Sequence, residues 1–172
     1  MIMRSALPED TAALAALGRD SFCAAFEHLY DPKDLNAFLE TAYAPGVIAK
    51  EIDNPAITHC VTEDAAGSGL TAYIKLCNPS EYAEYSDAQN PLGLGQLYTA
   101  PQRTGEGLGA ALMDWALEQA RLGAHDAIQL SVWAENQGAQ KFYQRYGFAK
   151  IADISFWVGN HRDDEFLYEK RL

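Results

Sequence analysis

The period of the apolar positions changes several times along the chain, and each change marks an element. Ile2–Ser5 reads as a short strand, and Leu7-Pro8-Glu9-Asp10 then supplies the proline and acids suited to a first helical turn, so a helix is predicted from about Pro8 to Tyr30. Asp31 before Pro32, with Asp34 following, opens a second helix in which Leu35, Phe38, Leu39 and Ala42 recur at helical spacing. Ala44–Asn54 is a third, short helical segment. Ile57–Thr62 and Leu70–Cys77 alternate loosely on either side of the turn residues Asp64–Gly69, the pattern of a β-hairpin. Pro79–Pro91 is a polar loop carrying Glu81, Tyr82, Glu84, Tyr85 and Asp87, and Leu94–Thr99 is the next strand.

After Pro101, glycines 105, 107 and 109 lead into a helix whose stripe of Leu108, Ala111, Leu112, Trp115 and Ala116 predicts packing on a sheet. Ala127–Trp133 is a strand, Asn136–Tyr146 a helix, and Phe148–Val158 with Glu165–Glu169 the final pair of strands. The order predicts an α/β protein with a mixed sheet, without internal repeats. Its 172 residues have the size of one domain, spanning 1–172.

Composition narrows the classes of function. Thirteen Lys and Arg against 24 Asp and Glu give a formal charge of −11, which opposes phosphate backbones and anionic lipid surfaces, so neither nucleic acid nor membrane is expected as a partner. Cys23, Cys60 and Cys77 are odd in number and far apart, which argues against a disulfide framework. Residues 1–10 lack the apolar stretch of a signal peptide, and no apolar run reaches membrane-spanning length. A cytoplasmic setting is expected. His28, His59, His125 and His161 show no close ligand spacing, so no metal is expected.

Thr104-Gly105-Glu106-Gly107-Leu108-Gly109 lies between a strand and a helix, where main-chain N–H groups can converge on an anion at the positive helix end. A plain tight turn would use the same glycines. The segment also fits the dinucleotide variant G-x-G-x-x-A, but that fingerprint follows the first strand of a large βαβ domain, and the following strand, Ala127–Trp133, carries no acid. A P-loop is excluded by the lack of G-K-[ST], and Gly67-Ser68-Gly69 does not complete the G-x-S-x-G of a serine hydrolase.

About 30 residues beyond the glycines, Asn136-Gln137-Gly138-Ala139-Gln140-Lys141-Phe142-Tyr143-Gln144-Arg145-Tyr146-Gly147-Phe148 supplies the second motif. The glycine turn resembles the pyrophosphate loop (Q/R-x-x-G-x-G/A), and this stretch the N-x-x-A-x-x-F-Y-x-x-x-G-F motif, of the GNAT superfamily of acyl-CoA-dependent N-acetyltransferases. Thr104 and Glu106 depart from it, standing where Gln or Arg and a basic or polar residue are usual. The resemblance implies a GNAT fold, a mixed, mostly antiparallel twisted sheet of about seven strands with helices on both faces. It also implies acetyl-CoA as cosubstrate. Leu97, Tyr98 and Thr99 would pair with the pantetheine arm like an added strand. Thr104, Gly105, Glu106, Gly107, Leu108 and Gly109 would hold the pyrophosphate, Asn136 would bond the cofactor arm, and Tyr143 would lie near the sulfur. A homodimer through the last strands is a further implication.

Acetyl transfer to an amine needs a neutral nitrogen, a polarised thioester carbonyl and a proton for the departing thiolate. Tyr143, protonated at neutral pH, is the expected general acid, and a main-chain N–H near Leu97 the expected oxyanion donor. An alkyl ammonium is neutral only about once in 2,500 molecules at pH 7, a handicap of about 4.6 kcal/mol. Relatives often place a Glu on the strand before the loop, but Leu94-Gly95-Gln96-Leu97 has no carboxylate. Glu81, Glu84, Asp87 or a water chain are the available relays, and no base is assigned.

Residues 103–150 balance five basic against five acidic side chains, whereas residues 1–102 carry five against fourteen. The acidic excess falls on the part that walls the acceptor pocket in this family, which favours a cationic acceptor. Ser21-Phe22, Phe26, Asp31-Pro32-Lys33-Asp34-Leu35, Phe38-Leu39 and Phe156-Trp157-Val158-Gly159 with Glu165 and Lys170 are similar to the PaiA-type spermidine/spermine acetyltransferases. That likeness implies a small polyamine acceptor, with Phe26, Glu27, Tyr30, Tyr82, Glu84 and Tyr85 lining an acidic aromatic groove. The alternatives are acetylation of a protein N-terminus or lysine, and a non-catalytic acyl-CoA-binding regulatory module.

Overall fold

The computed structural model describes every residue except 65, 66 and 68, so the tip of the predicted hairpin turn, with Ser68, lies outside the described residues. In chain order the elements are β1 (Ile2–Ser5), α1 (Thr11–Phe26), α2 (Pro32–Ala42), α3 (Pro45–Asp53), β2 (Ile57–Glu63), β3 (Leu70–Cys77), β4 (Pro91–Thr99), α4 (Leu108–Leu122), β5 (Ala127–Trp133), α5 (Gln137–Arg145), β6 (Ala149–Val158) and β7 (His161–Arg171). The strands form one seven-stranded sheet in the order β1-β2-β3-β4-β5-β7-β6. Only β4 and β5 run parallel; every other pair is antiparallel.

Local chemistry fixes the helix boundaries. The Asp31 side chain accepts a hydrogen bond from the Lys33 N–H at 2.8 Å, and Pro32 needs no donor there, so α2 starts where an N-cap and a proline coincide. The segment expected as one helix up to Tyr30 is divided: Pro8–Asp10 and Glu27–Leu29 are single 3-10 turns flanking α1.

Both faces of the sheet are covered, as the apolar stripes require. On one face α4 lays Leu112, Met113, Ala116 and Ala120 over Cys60, Ala72 and Ile74 of β2 and β3 and Ile128 and Leu130 of β5. On the other, α1 and α3 bring Leu14, Leu17 and Ile48 onto Val61 and Tyr73. Burying each leucine, isoleucine, valine or methionine among them stabilises the fold by about 1.5–3 kcal/mol. A third cluster of Phe22, Leu39, Tyr43 and Val158 ties α1 and α2 to β6.

The feature that creates a site is a failure of pairing in the middle of the sheet. β4 pairs with β5 only from Pro91 to Gly93, opposite Ala127 to Gln129. Beyond that the strands part. The cause is visible on the other edge of β4, where Lys75 faces Gln96 and Leu76 faces Leu94, leaving Gly95 as the extra residue of a bulge. A bulge bends its strand and sharpens the local twist, carrying Gln96–Thr99 away from β5.

Candidate active site

The splayed strands open a cleft of about 460 Å³. Gly95, Gln96, Leu97 and Tyr98 of β4 form one wall, and Ser131, Val132 and Trp133 of β5 form the other. The β5-facing edge of β4 has no strand partner along Gln96–Thr99, so an extended chain entering the cleft finds main-chain donors and acceptors there. Gln96 is fixed by tyrosines: the Tyr73 hydroxyl donates to its Oε1 at 2.9 Å and its Nε2 donates to the Tyr43 oxygen at 3.4 Å.

The helix α5 delivers two residues to the cleft from β5's end. Asn136 caps the helix, its Oδ1 accepting from the Ala139 N–H at 3.0 Å, which leaves only Nδ2 for other partners. Tyr143, about two turns on, is 9% exposed and packs against Phe142 and Phe148. Its ring fills the core while its hydroxyl makes no hydrogen bond to any described residue, so a donor faces the cleft uncommitted. Burial pushes the phenol's pKa well up, and the neighbouring Tyr98 adds to the shift, so Tyr143 keeps its proton through neutral pH.

Beyond the end of β4, the turn before α4 exposes its backbone. Gly105 and Gly107 adopt φ of 84° and 82°, a conformation that other L-residues avoid, and α4 begins directly after Gly107. No N–H from Gly105 to Ala110 meets an acceptor among the described residues. Successive free N–H groups at a helix N-terminus make an anion-binding concavity. The Glu106 carboxylate is paired: Arg103 Nε donates to Glu106 Oε1 at 2.7 Å, while the same guanidinium forks onto Asp64 at 2.7 and 3.0 Å. Arg103 therefore offsets part of the charge by which Glu106 departs from the family pattern.

The rest of the cleft lining is aromatic and acidic. Phe22, Phe26, Phe38, Tyr30 and Tyr43 come from α1, α2 and the segments that follow them, Phe156 from β6, and Trp133 stands edge-on to Phe26 with centroids 5.9 Å apart. Asp163 and Glu165 project from β7, and Glu81 and Tyr82 from the loop before β4. Asp163 is held on both oxygens, by the Tyr30 hydroxyl at 2.5 Å and by His161 Nε2 at 3.1 Å. Burial pushes the Glu165 carboxyl above its ordinary range, the Asp163 charge pushes it further, and the Ser131 hydroxyl partly offsets both. Burial also pushes Tyr82 up to about 12 and Tyr98 up to about 12.

Of the residues singled out in the sequence, Leu97, Tyr98, Asn136, Tyr143, Phe26, Tyr30 and Tyr82 meet in this cleft. The Thr104–Gly109 turn lies outside the lining, at the start of α4, and Thr99 ends β4 just beyond it. Glu27, Glu84 and Tyr85 do not line the cleft: all three are exposed, Glu27 on the turn after α1 and the other two on the loop before β4. Sequence reasoning missed Asp163 and Glu165 as site residues, together with Ser131, Trp133, Gln96 and Phe156. The available signal was the alternation Asp163-x-Glu165-x-Leu167, which puts two acids on the face of a buried leucine.

Comparison with known proteins agrees with this architecture. The model of the Acetyltransferase (GNAT) family matches residues 19–148. An uncharacterised N-acetyltransferase of Lactobacillus delbrueckii subsp. lactis, encoded in the pepI 3′ region, is 27% identical over 165 residues, covering 95% of this chain and 93% of that one. The crystal structure of the PaiA N-acetyltransferase from Thermoplasma acidophilum in complex with coenzyme A superposes with a TM-score of 0.78 at 19% identity, covering 99% of this chain and 98% of that one. The ribosomal-protein-alanine N-acetyltransferase from Brucella melitensis has a TM-score of 0.68 at 19% identity, with both chains covered completely at 100%. With its splayed central strands, its glycine turn and a family match over three quarters of its length, the chain belongs to the GNAT family of acetyltransferases.

Proposed function

We propose that the protein transfers an acetyl group from acetyl-CoA to the primary amine of a small cationic molecule, a polyamine being the favoured class. The observation that carries this reading is an uncommitted phenol, Tyr143, in a cleft lined by carboxylates and aromatic rings, in a chain whose turn before α4 has free backbone donors.

The residues fit the cosubstrate. The N–H groups of Gly105–Gly109 would grip its diphosphate, with the α4 dipole adding to the field. The free edge of Leu97–Thr99 would pair with the pantetheine arm, and Asn136 Nδ2 would bond the same arm. Acetyl-CoA supplies the acyl group and the sulfur leaving group. Tyr143 Oη would hand its proton to that sulfur, and a main-chain N–H near Leu97 would stabilise the developing negative charge on the carbonyl oxygen. In the cleft, Phe26, Tyr30 and Tyr82 would wall the acceptor, and the carboxylates of β7 and the loop would attract its positive charge.

Thiol release from acetyl-CoA in the presence of an amine panel tests the proposal. Spermidine and related polyamines should release CoA faster than neutral amino acids do. Thermal stabilisation by acetyl-CoA without thiol release would show a binding module instead, and turnover confined to peptide N-termini or lysines would move the acceptor class to proteins.

A further inference from the structure

Three carboxylates line the cleft, and they differ in what already holds them. Asp163 is saturated by the Tyr30 hydroxyl and His161. Glu81 is exposed on the loop, where water screens its charge. Glu165 is half-buried and has no cation within ion-pair distance among the described residues; of its polar neighbours, only the Ser131 hydroxyl favours its charged form. A carboxylate withdrawn from water without a counter-ion is unfavourable unless a cation or a proton arrives.

Glu165 also occupies the middle of the site. It stands directly across from Trp133 in the β5–β7 register, which puts both side chains on one face of the sheet. Its charge opposes ionisation of Tyr30, Tyr82 and Tyr98, which come from three separate walls of the cleft. Tyr98 in turn acts on Tyr143. The carboxylate and the uncommitted phenol both line this cleft, one from β7 and the other from α5.

We propose that Glu165 is the catalytic base that takes a proton from the incoming ammonium, with Trp133 and Phe26 as the aromatic wall against which that ammonium rests. This rests on the acetyl-transfer reading above. The ammonium N–H bond breaks and the proton goes to the Glu165 carboxylate. The freed nitrogen lone pair forms the C–N bond to the acyl carbon while the C–S bond breaks. Sulfur takes the Tyr143 proton, and the second proton leaving nitrogen returns to the Tyr143 oxygen. The products are the amide, the thiol and a proton that Glu165 gives up to water. The raised affinity of Glu165 for protons suits the task, because a base closer to the amine in strength faces a smaller uphill transfer. The titratable groups facing it are Asp163 on the same strand, Tyr30, Tyr82 and Tyr98 from the opposing walls, and Glu81 and Lys75 across the cleft.

The test is thiol release with saturating acetyl-CoA and spermidine, 1,4-diaminobutane or benzylamine, followed from pH ~5.5 to ~9.5 in wild type, Glu165→Gln and Glu165→Asp. Wild type should level off once Glu165 is ionised. Glu165→Gln should lose about 100-fold or more in kcat at neutral pH and climb steadily with pH toward the pKa of the amine, because only amine already neutral reacts. Glu165→Asp should regain the plateau at a reduced rate, which separates lost chemistry from lost folding. Unchanged kcat and pH profile in Glu165→Gln, or a rise in KM alone, would overturn the assignment while leaving acetyl transfer intact. Absence of thiol release by wild type with every amine would overturn the underlying reading and this one with it.

Discussion

Replacing the three glycines of the anion-binding turn one at a time separates backbone strain from crowding. An alanine Cβ at position 105, 107 or 109 meets no atom within 4 Å, so none of the three substitutions clashes with the protein. The backbone distinguishes them. Gly105 and Gly107 sit at φ of 84° and 82°, where an L-residue pays about 1–2 kcal/mol, whereas Gly109 lies in the first turn of α4 without a positive φ. The turn is exposed, so an alanine at 105 or 107 lets the free protein relax, and the strain returns when CoA requires the convergent N–H groups. Each should therefore weaken CoA binding about 5–30-fold, the equivalent of that strain. Gly109→Ala should instead stabilise the helix by up to about 1 kcal/mol. Titration calorimetry with CoA and thermal unfolding read the two effects. Wild-type affinity in Gly107→Ala would refute the reasoning.

Other consequences are equally open to measurement. Tyr143→Phe should lower kcat about 100-fold or more with little change in melting temperature or CoA affinity, since the hydroxyl bonds to none of the described residues; full activity in that variant would remove Tyr143 as the acid. Arg103→Met should weaken CoA binding by freeing Glu106 beside the turn, and adding Glu106→Gln should restore it; equal affinities in the single and double variants would contradict the offsetting role of Arg103. Asp10 is held below its ordinary carboxylate range by Arg4, at 2.6 and 2.9 Å, and by the Leu7 N–H at 2.7 Å, against the opposing effect of burial. A lowered native pKa gives stability that is complete above the ordinary Asp value of about 3.9 and drains away as the pH falls through the native value. The unfolding midpoint of wild type should therefore drop more steeply below pH ~4 than that of Asp10→Asn, and parallel curves would contradict the linkage.

Local pattern was enough where an element's own residues decide its conformation. β1, β3 and β5 run over the residues that their apolar character marks, and α2 starts at Asp31-Pro32 because the cap chemistry is local. β4 begins at Pro91 instead of Leu94, because Pro91, Leu92 and Gly93 are recruited by parallel pairing with β5, which no local propensity reveals. β7 starts at His161 for the same reason: His161, Arg162, Asp163 and Asp164 read as a loop, yet pairing with β6 draws them into the sheet. That extension carries Asp163 into the cleft. Tyr143 and Asn136 were legible because a motif of fixed spacing rides on one helix. Glu165 was not, because its place depends on the Trp133–Glu165 register between strands about 30 residues apart in sequence.

The central claim is that the turn before α4 grips a diphosphate and so sets the acyl sulfur beside Tyr143. A crystal structure with bound CoA measures it directly. Diphosphate oxygens should lie about 3 Å from the N–H groups of Gly105–Gly109, pantetheine along Gln96–Thr99, and sulfur within hydrogen-bond reach of Tyr143 Oη. Diphosphate bound away from that turn, or sulfur remote from Tyr143, would contradict it.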